Sequence, residues 1–289
     1  MKKEIIKSPI NYTGSKYRIL KKGLLNYFPK DIDTFVDLFG GNGNVAINVD
    51  AKNIIYNDII FYIPKLYNEW KNDNFENIKK YIDNRIKEFK LSSENEKGFK
   101  EFREEYNKTK NIYDLFILVC YSFNYQIRFN NNQEYNSSFG KKASTMNSNI
   151  IKNLEIFIKT IQDKNIHFVS KDFRELKLNK LTNKDFVYLD PPYLISCGVY
   201  QDGKRGFNGW NKKDELDLYG LCDRLNLYNI RFALSNLIFS KGQENIILKE
   251  WIDKNKYNIN YINHNYKNSN YQRNNENKDI EILITNYEL

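Results

Sequence analysis

The sequence predicts an α/β fold: a mostly parallel, doubly wound sheet interrupted by a mainly helical insert. Short apolar runs recur near both ends of the chain, separated by helical or loop stretches. One of them, "DTFVDLFGGNGNVAINV" (33–49), reads as strand, Gly-rich turn and helix. Between about 61 and 165 the pattern changes to charged, helix-periodic segments.

In the first run, Phe35, Val36 and Leu38 suit a buried parallel strand, and a helix begins near Asn44. "NIIYNDII" (53–60) is a second strand running into an acid, Asp58, which completes a βαβ unit. The insert follows. "NIKKYIDNRIKEFK" and "EKGFKEFREEYNK" are charged helices, and "NIYDLFILVCYSFNY" is a buried one. "QIRFNNNQEYNSSFGKKAST" is polar, rich in asparagine and short of aliphatics, as a surface loop or hairpin would be. "NIIKNLEIFIKTI" (149–161) closes the insert as an amphipathic helix. Strands resume at "IHFVSKDF" (166–173), "DFVYLDPPY" (185–193), "NIRFALSN" (229–236) and "DIEILITNY" (279–287). The expected division is 1–61 with 166–289 as one domain and 62–165 as the insert.

The chain of 289 residues carries 45 Lys plus Arg against 36 Asp plus Glu, a net charge of +9. That excess favours a polyanionic partner, with surplus surface lysine as the plainer alternative. Cys120, Cys197 and Cys222 lack CxxC spacing, which argues against a disulfide framework or a zinc site. Two histidines, His167 and His264, are too few for histidine-based metal or triad chemistry. No metal is expected. The start "MKKEIIKSPINYTGSK" has no apolar core of a signal peptide, and no apolar run is long enough to span a bilayer. A reducing, cytoplasmic setting without a membrane follows as the expectation.

The glycine turn "FGGNGN" lets the backbone approach a ligand at the head of the next helix. Gly41, Gly43 and Ala46 also satisfy the dinucleotide pattern G-x-G-x-x-A, with Asp58 near the spacing of a ribose-binding acid. A nicotinamide or flavin enzyme therefore stays open at this point, as does a ligand-free tight turn. "YLDPPYLIS" (188–196) says more. Asp190 stands at the carboxyl end of a buried strand, where parallel sheets bind ligands. Pro191 and Pro192 fix the turn and cannot donate to the ladder, which leaves rigid carbonyls, and Tyr193 adds a flat face. An acidic acceptor, carbonyl acceptors and an aromatic plate suit a planar heterocycle with an exocyclic amino group. The alternative is an Asp-Pro turn with a packed tyrosine.

"DPPY" after "DLFGGNG" resembles the Dam-like (D12 class, α-group) DNA adenine-N6 methyltransferases. "NYTGSK" (11–16) is similar to that family's N-terminal motif, with Tyr12 in the aromatic place and Lys16 as the lysine. "FNYQIRFNNNQEYNSSFGKK" (123–142) resembles its target-recognition hairpin, with Asn124, Arg128, Asn130, Asn136, Phe139 and Gly140 in register. "KDF" (171–173) and "ALSN" (233–236) resemble later core motifs, so the likeness covers nearly the whole chain.

The resemblance implies a Rossmann-like methyltransferase sheet with an inserted target-recognition domain. It also implies S-adenosyl-L-methionine as methyl donor and double-stranded DNA as partner. Tyr12, Lys16, Asp58 and Asp190 would contact the donor; Asp37, Phe39 and Gly41 would line its pocket; Asp172 and Phe173 would border its adenine. Asp190, Pro191, Pro192 and Tyr193 would hold a flipped target adenine. Asn124, Gln126, Arg128, Asn130 and Ser138 would read the DNA, and Lys141 and Lys142 would sit on phosphates. Arg pairs bidentately with guanine and Asn with adenine, whereas Lys on a phosphate carries no sequence information. GATC is a common target in the family. The hairpin departs from the family pattern at Gln126 and Ser138, where apolar residues and proline are usual. The rivals are a non-catalytic DNA-binding subunit and the same chemistry on RNA or a protein glutamine. No obligate protein partner is expected; a cognate restriction endonuclease would accompany a restriction-modification role. Cys197 reads as packing rather than nucleophile, and the polar loop 265–278 as solvated rather than touching DNA.

Overall fold

A computed structural model describes residues 4–12, 14–196, 209–240, 242–262 and 279–289. Cys197, His264 and the loop 265–278 lie outside the described residues. The sheet strands are β1 (Thr34–Asp37), β2 (Asn53–Asn57), β3 (Ile166–Val169), β4 (Phe186–Leu189), β5 (Arg231–Ser240), β6 (Gln243–Glu244), β7 (Asn258–Tyr261) and β8 (Ile280–Thr285). Their order is β3-β2-β1-β4-β5-β8-β7, with β6 paired to β5. The strands from β3 to β5 run parallel, while β8 pairs antiparallel with β5 and β7 antiparallel with β8. The sheet is thus mostly parallel, as expected.

Period-two alternation divides each central strand between two cores. Phe35, Phe186 and Tyr188 join one apolar cluster, and Val36, Val187 and Leu189 the other. Helix α8 (Lys212–Leu227) and helix α9 (Ile246–Asn255) cover the second face with Leu218, Leu225, Leu248 and Ile252. The strand order reverses between β1 and β4. In open α/β sheets such a reversal opens a crevice beyond the carboxyl ends of the strands. Strand β7 was not foreseen, because "NINY" alternates asparagines at a half-exposed edge and offers no apolar run.

Helices α1 (Tyr17–Lys21) and α2 (Asn44–Asn48) lie before the insert. Within it run α3 (Tyr62–Asn72), α4 (Phe75–Glu88), α5 (Glu96–Thr109), α6 (Ile112–Tyr121) and α7 (Ser148–Asp163). Asn74, Asn95, Asn111 and Asn147 cap α4 to α7 by accepting backbone N–H groups. The buried residues of the insert, Trp70, Phe102, Leu118 and Phe157 among them, are continuous with the first face of the sheet. Asp114 on α6 is buried and takes Arg85 Nε at 3.0 Å and Nη2 at 2.9 Å, with the Tyr81 hydroxyl at 2.9 Å.

The asparagine-rich stretch after α6 is an irregular hairpin, with antiparallel bridges Ser122↔Phe139 and Phe129↔Tyr135. Helix α5 holds it from behind. The Asn107 amide accepts the Tyr135 N–H at 2.7 Å and donates to its carbonyl at 3.1 Å, as a neighbouring strand would. Among the described residues no helix is long and apolar enough to cross a membrane.

Candidate active site

A cleft of about 1330 Å³ opens beyond the carboxyl ends of β1, β2 and β4. The glycine turn forms its floor. Gly41 and Gly43 have φ of +52° and +75°, the left-handed region that L side chains resist. This tight turn starts α2 and brings the Gly41 N–H to Asp58 Oδ2 at 2.8 Å. Asp58 Oδ1 accepts the Ile60 N–H at 2.8 Å. Burial pushes the Asp58 carboxyl up to about 6, against the pull of those two N–H groups.

Asp37 ends β1 and is buried. Its Oδ2 accepts the Ala46 N–H at 3.2 Å, while its Oδ1 has no partner among the described residues. Burial, reinforced by the Asp190 charge, holds this carboxyl well above the usual range. An orphaned buried acceptor is costly unless a ligand satisfies it.

Lys16 reaches the cleft from the segment before α1, only 6 % exposed. Its ammonium lies 2.6 Å from Asp190 Oδ1, 2.9 Å from the Tyr193 hydroxyl and 3.4 Å from Glu281 Oε1. Burial alone would lower the Lys16 pKa, but the charges of Asp190 and Glu281 outweigh it and raise it. Burial raises the Asp190 carboxyl against the pull of Lys16. Pro191, Pro192 and Tyr193 line the cleft beside it.

The aromatic wall is Phe39, Phe173 and Trp210, with ring centroids 5.5 to 5.8 Å apart. Asp172 lies at its edge with its carboxylate tied to Arg174, which also pairs with Asp214 and Asp217. Tyr12 completes the rim against Gly41.

Of the hairpin residues, Asn124, Gln126 and Arg128 line the same cleft and are exposed. Asn130 does not line it; its amide oxygen accepts the N–H groups of Asn132 and Glu134 and closes the hairpin turn. Ser138, Lys141 and Lys142 are exposed on the hairpin's return limb and its sequel, outside the cleft.

Sequence reasoning missed Trp210 and Glu281. Trp210 donates to Glu215, a buried carboxylate in the first turn of α8 that also takes Tyr219 and Asn236. Glu281 carried a signal that went unused. It is the one charged residue in "IEILIT", a run otherwise suited to burial.

The family model of the D12 class N6 adenine-specific DNA methyltransferases matches residues 12–280. The chain is 47 % identical over 282 residues to the type II methyltransferase M.FokI of Planomicrobium okeanokoites, covering 98 % of this chain and 43 % of that protein. It is 44 % identical over 286 residues to the modification methylase StsI of Streptococcus sanguinis, covering 99 % and 44 %. A DNA adenine methylase of Escherichia coli (strain K12) is 22 % identical over 254 residues, covering 86 % of this chain and 85 % of that one. The chain thus spans less than half the length of M.FokI and StsI. With a match running from the cleft lysine's segment to the last strand, the chain belongs to the D12 class of N6 adenine-specific DNA methyltransferases.

Proposed function

We propose that this chain is a site-specific DNA methyltransferase that modifies N6 of an adenine flipped out of duplex DNA. One observation carries the reading: the cleft lined by Asp190, Pro191 and Tyr193 is also lined by Gln126 and Arg128 of the hairpin. A base leaving the duplex under that hairpin has the acceptor Asp190 within the same cavity. Flipping costs a few kcal/mol, which hairpin and phosphate contacts offset. We take 62–165 as the recognition module and the rest as the catalytic one.

The residues present fit S-adenosyl-L-methionine. Asp37 offers a buried oxygen without a partner, Asp58 a carboxylate for ribose hydroxyls, and Phe39, Phe173 and Trp210 an aromatic wall for a purine. At the strand ends Asp58, Asp190 and Glu281 outnumber Lys16; farther out Lys171, Arg174, Lys213 and Arg128 join Asp172, Asp214 and Asp279, and the acidic inner end suits a cationic donor over the pyrophosphate of a dinucleotide. When bound, the cofactor supplies a methyl group activated by a sulfonium centre. Asp190 and a carbonyl of the Pro191 turn accept hydrogen bonds from N6 and aim its lone pair; Tyr193 presents its ring to the base. Catalysis is then positioning and local electrostatics. The named relatives favour the modification arm of a restriction-modification system, in the cytoplasm of a bacterium. The deciding experiment transfers labelled methyl groups to duplex DNA and digests the product. Label in N6-methyladenine supports the reading; label confined to RNA or protein overturns it.

Arg128→Ala separates reading from gripping. A guanidinium on a guanine edge is worth about 1–3 kcal/mol at the cognate site and much less elsewhere. Discrimination at one base pair relaxes, while Lys141→Ala weakens all duplexes alike and lowers the salt slope by about one. Salt titrations on cognate and singly substituted duplexes check both. A uniform loss with a flatter slope for Arg128→Ala would make it a backbone contact.

Cofactor affinity is expected to fall as pH drops through about 6, because the raised Asp58 carboxyl takes up a proton there and loses its charge. Above that pH the affinity is flat. A hydrogen bond to a charged acceptor is worth about 1.5–3 kcal/mol. Asp58→Asn binds S-adenosylhomocysteine more weakly and flattens the profile, which calorimetry from about pH 5 to 8 measures. An unchanged profile in Asp58→Asn would move the titration to Asp37 or Asp190.

A further inference from the structure

The Tyr193 hydroxyl lies between two carboxylates, 3.0 Å from Asp190 Oδ1 and 2.9 Å from Glu281 Oε1. It has one hydrogen to give. Lys16 donates to the tyrosine oxygen at 2.9 Å, so that oxygen is already an acceptor, and its hydrogen must go to one acid or the other. The choice matters for Asp190. Its Oδ1 already takes the Lys16 ammonium at 2.6 Å. A second donor on Oδ1 would draw more charge from the carboxylate and weaken it as an acceptor for a substrate amine.

We propose that Glu281 is a positioning residue that takes the Tyr193 hydrogen and thereby keeps Asp190 available to the target amine. The inference rests on the reading of Asp190 given above. Glu281 is held in place to do so. It comes from β8, between β5 and β7, with its side chain 16 % exposed and ion-paired to Lys16. Its effect is geometric as well. The same hydrogen bond fixes the ring of Tyr193, the plate offered to the base. Loss of Glu281 thus both redirects the hydroxyl onto Asp190 and frees the ring.

The test is a double-mutant cycle on methylation of duplex DNA. Glu281→Ala should lower kcat about 10- to 100-fold with KM for DNA little changed, the size of one hydrogen bond to a charged group. Glu281→Gln, whose amide oxygen still accepts the hydroxyl, should recover most of the rate. In a Tyr193→Phe background, Glu281→Ala should cost less than about threefold, because the hydrogen it captured is gone. Three results would overturn the proposal: wild-type kcat in Glu281→Ala, a Gln variant no better than the Ala one, or an undiminished loss in the Phe background. If Glu281→Ala does not fold, judged by its thermal melt, the near-isosteric Gln variant decides alone: near-wild-type turnover supports, a dead folded enzyme overturns. Asp190→Asn serves as the reference. Full activity there would overturn the site assignment itself, whereas a dead Asp190→Asn beside an unimpaired Glu281→Ala overturns this inference only.

Discussion

Asp190→Ala is expected to lower turnover by a factor on the order of 10³ or more, while duplex binding survives. The carboxylate is the acceptor at the centre of the cleft, and its neighbours cannot replace it. Lys16 is a donor toward it, and Glu281 Oε1 is already engaged by the Tyr193 hydroxyl and by Lys16. Without it the target amine loses an acceptor, and the buried Lys16 keeps, among the described residues, only Glu281 as an ion-pair partner. The hairpin residues Gln126 and Arg128 belong to the insert and are untouched, so gel-shift affinity should change little. Single-turnover kinetics separate the two effects. Near-normal kcat in this variant would remove Asp190 from the chemistry.

The second large effect is on stability. Asp114→Ala should cost about 3 kcal/mol, because it leaves the Arg85 guanidinium, itself only 15 % exposed and packed on Phe89 and Phe102, with the exposed Glu88 as its remaining ion-pair partner among the described residues. Asp114 now receives both prongs of that guanidinium and the Tyr81 hydroxyl. For a chain of this size a drop of roughly 10 °C in Tm follows. A Tm shift below about 2 °C would mean that solvent reaches the pair and the ion pair adds little. Replacing both partners with apolar residues should restore much of the loss, since the penalty lies in a guanidinium that has lost its buried acceptor.

The central sheet was legible in the sequence for a physical reason. Strands β1, β2, β4 and β5 are covered on both faces or nearly so, and their runs of Phe, Val, Ile and Leu can hardly be read otherwise. Strand β7 was not, because a half-exposed edge asks for no apolar pattern. In the cleft, the acids at strand ends and the glycine turn were legible because position along a parallel strand predicts position at the crevice. Glu281 was not, although it lies on a foreseen strand. Alternation tells which face a residue occupies but not that a lysine 265 positions earlier arrives there to meet it. The hairpin shows the same limit. Its composition announced polar contacts, yet only the folded turn separates Arg128, whose guanidinium makes no hydrogen bond among the described residues, from Asn130, whose amide is used up in closing the turn.

The reversal of strand order has a consequence for how the chain emerges from a ribosome. Val36 pairs with Ile55 on one side and with Val187 on the other. The first pairing is available early. The second waits until the whole insert has been synthesised, at about 5–20 residues per second. During that interval the insert can build its helices from local contacts, while one edge of β1 has no neighbour. Lys16 meets Asp190 only after β4 is out, and both meet Glu281 only with β8. The cleft is therefore completed only after β8 has been made, so a nascent chain lacking β8 carries the finished hairpin beside an unfinished cleft.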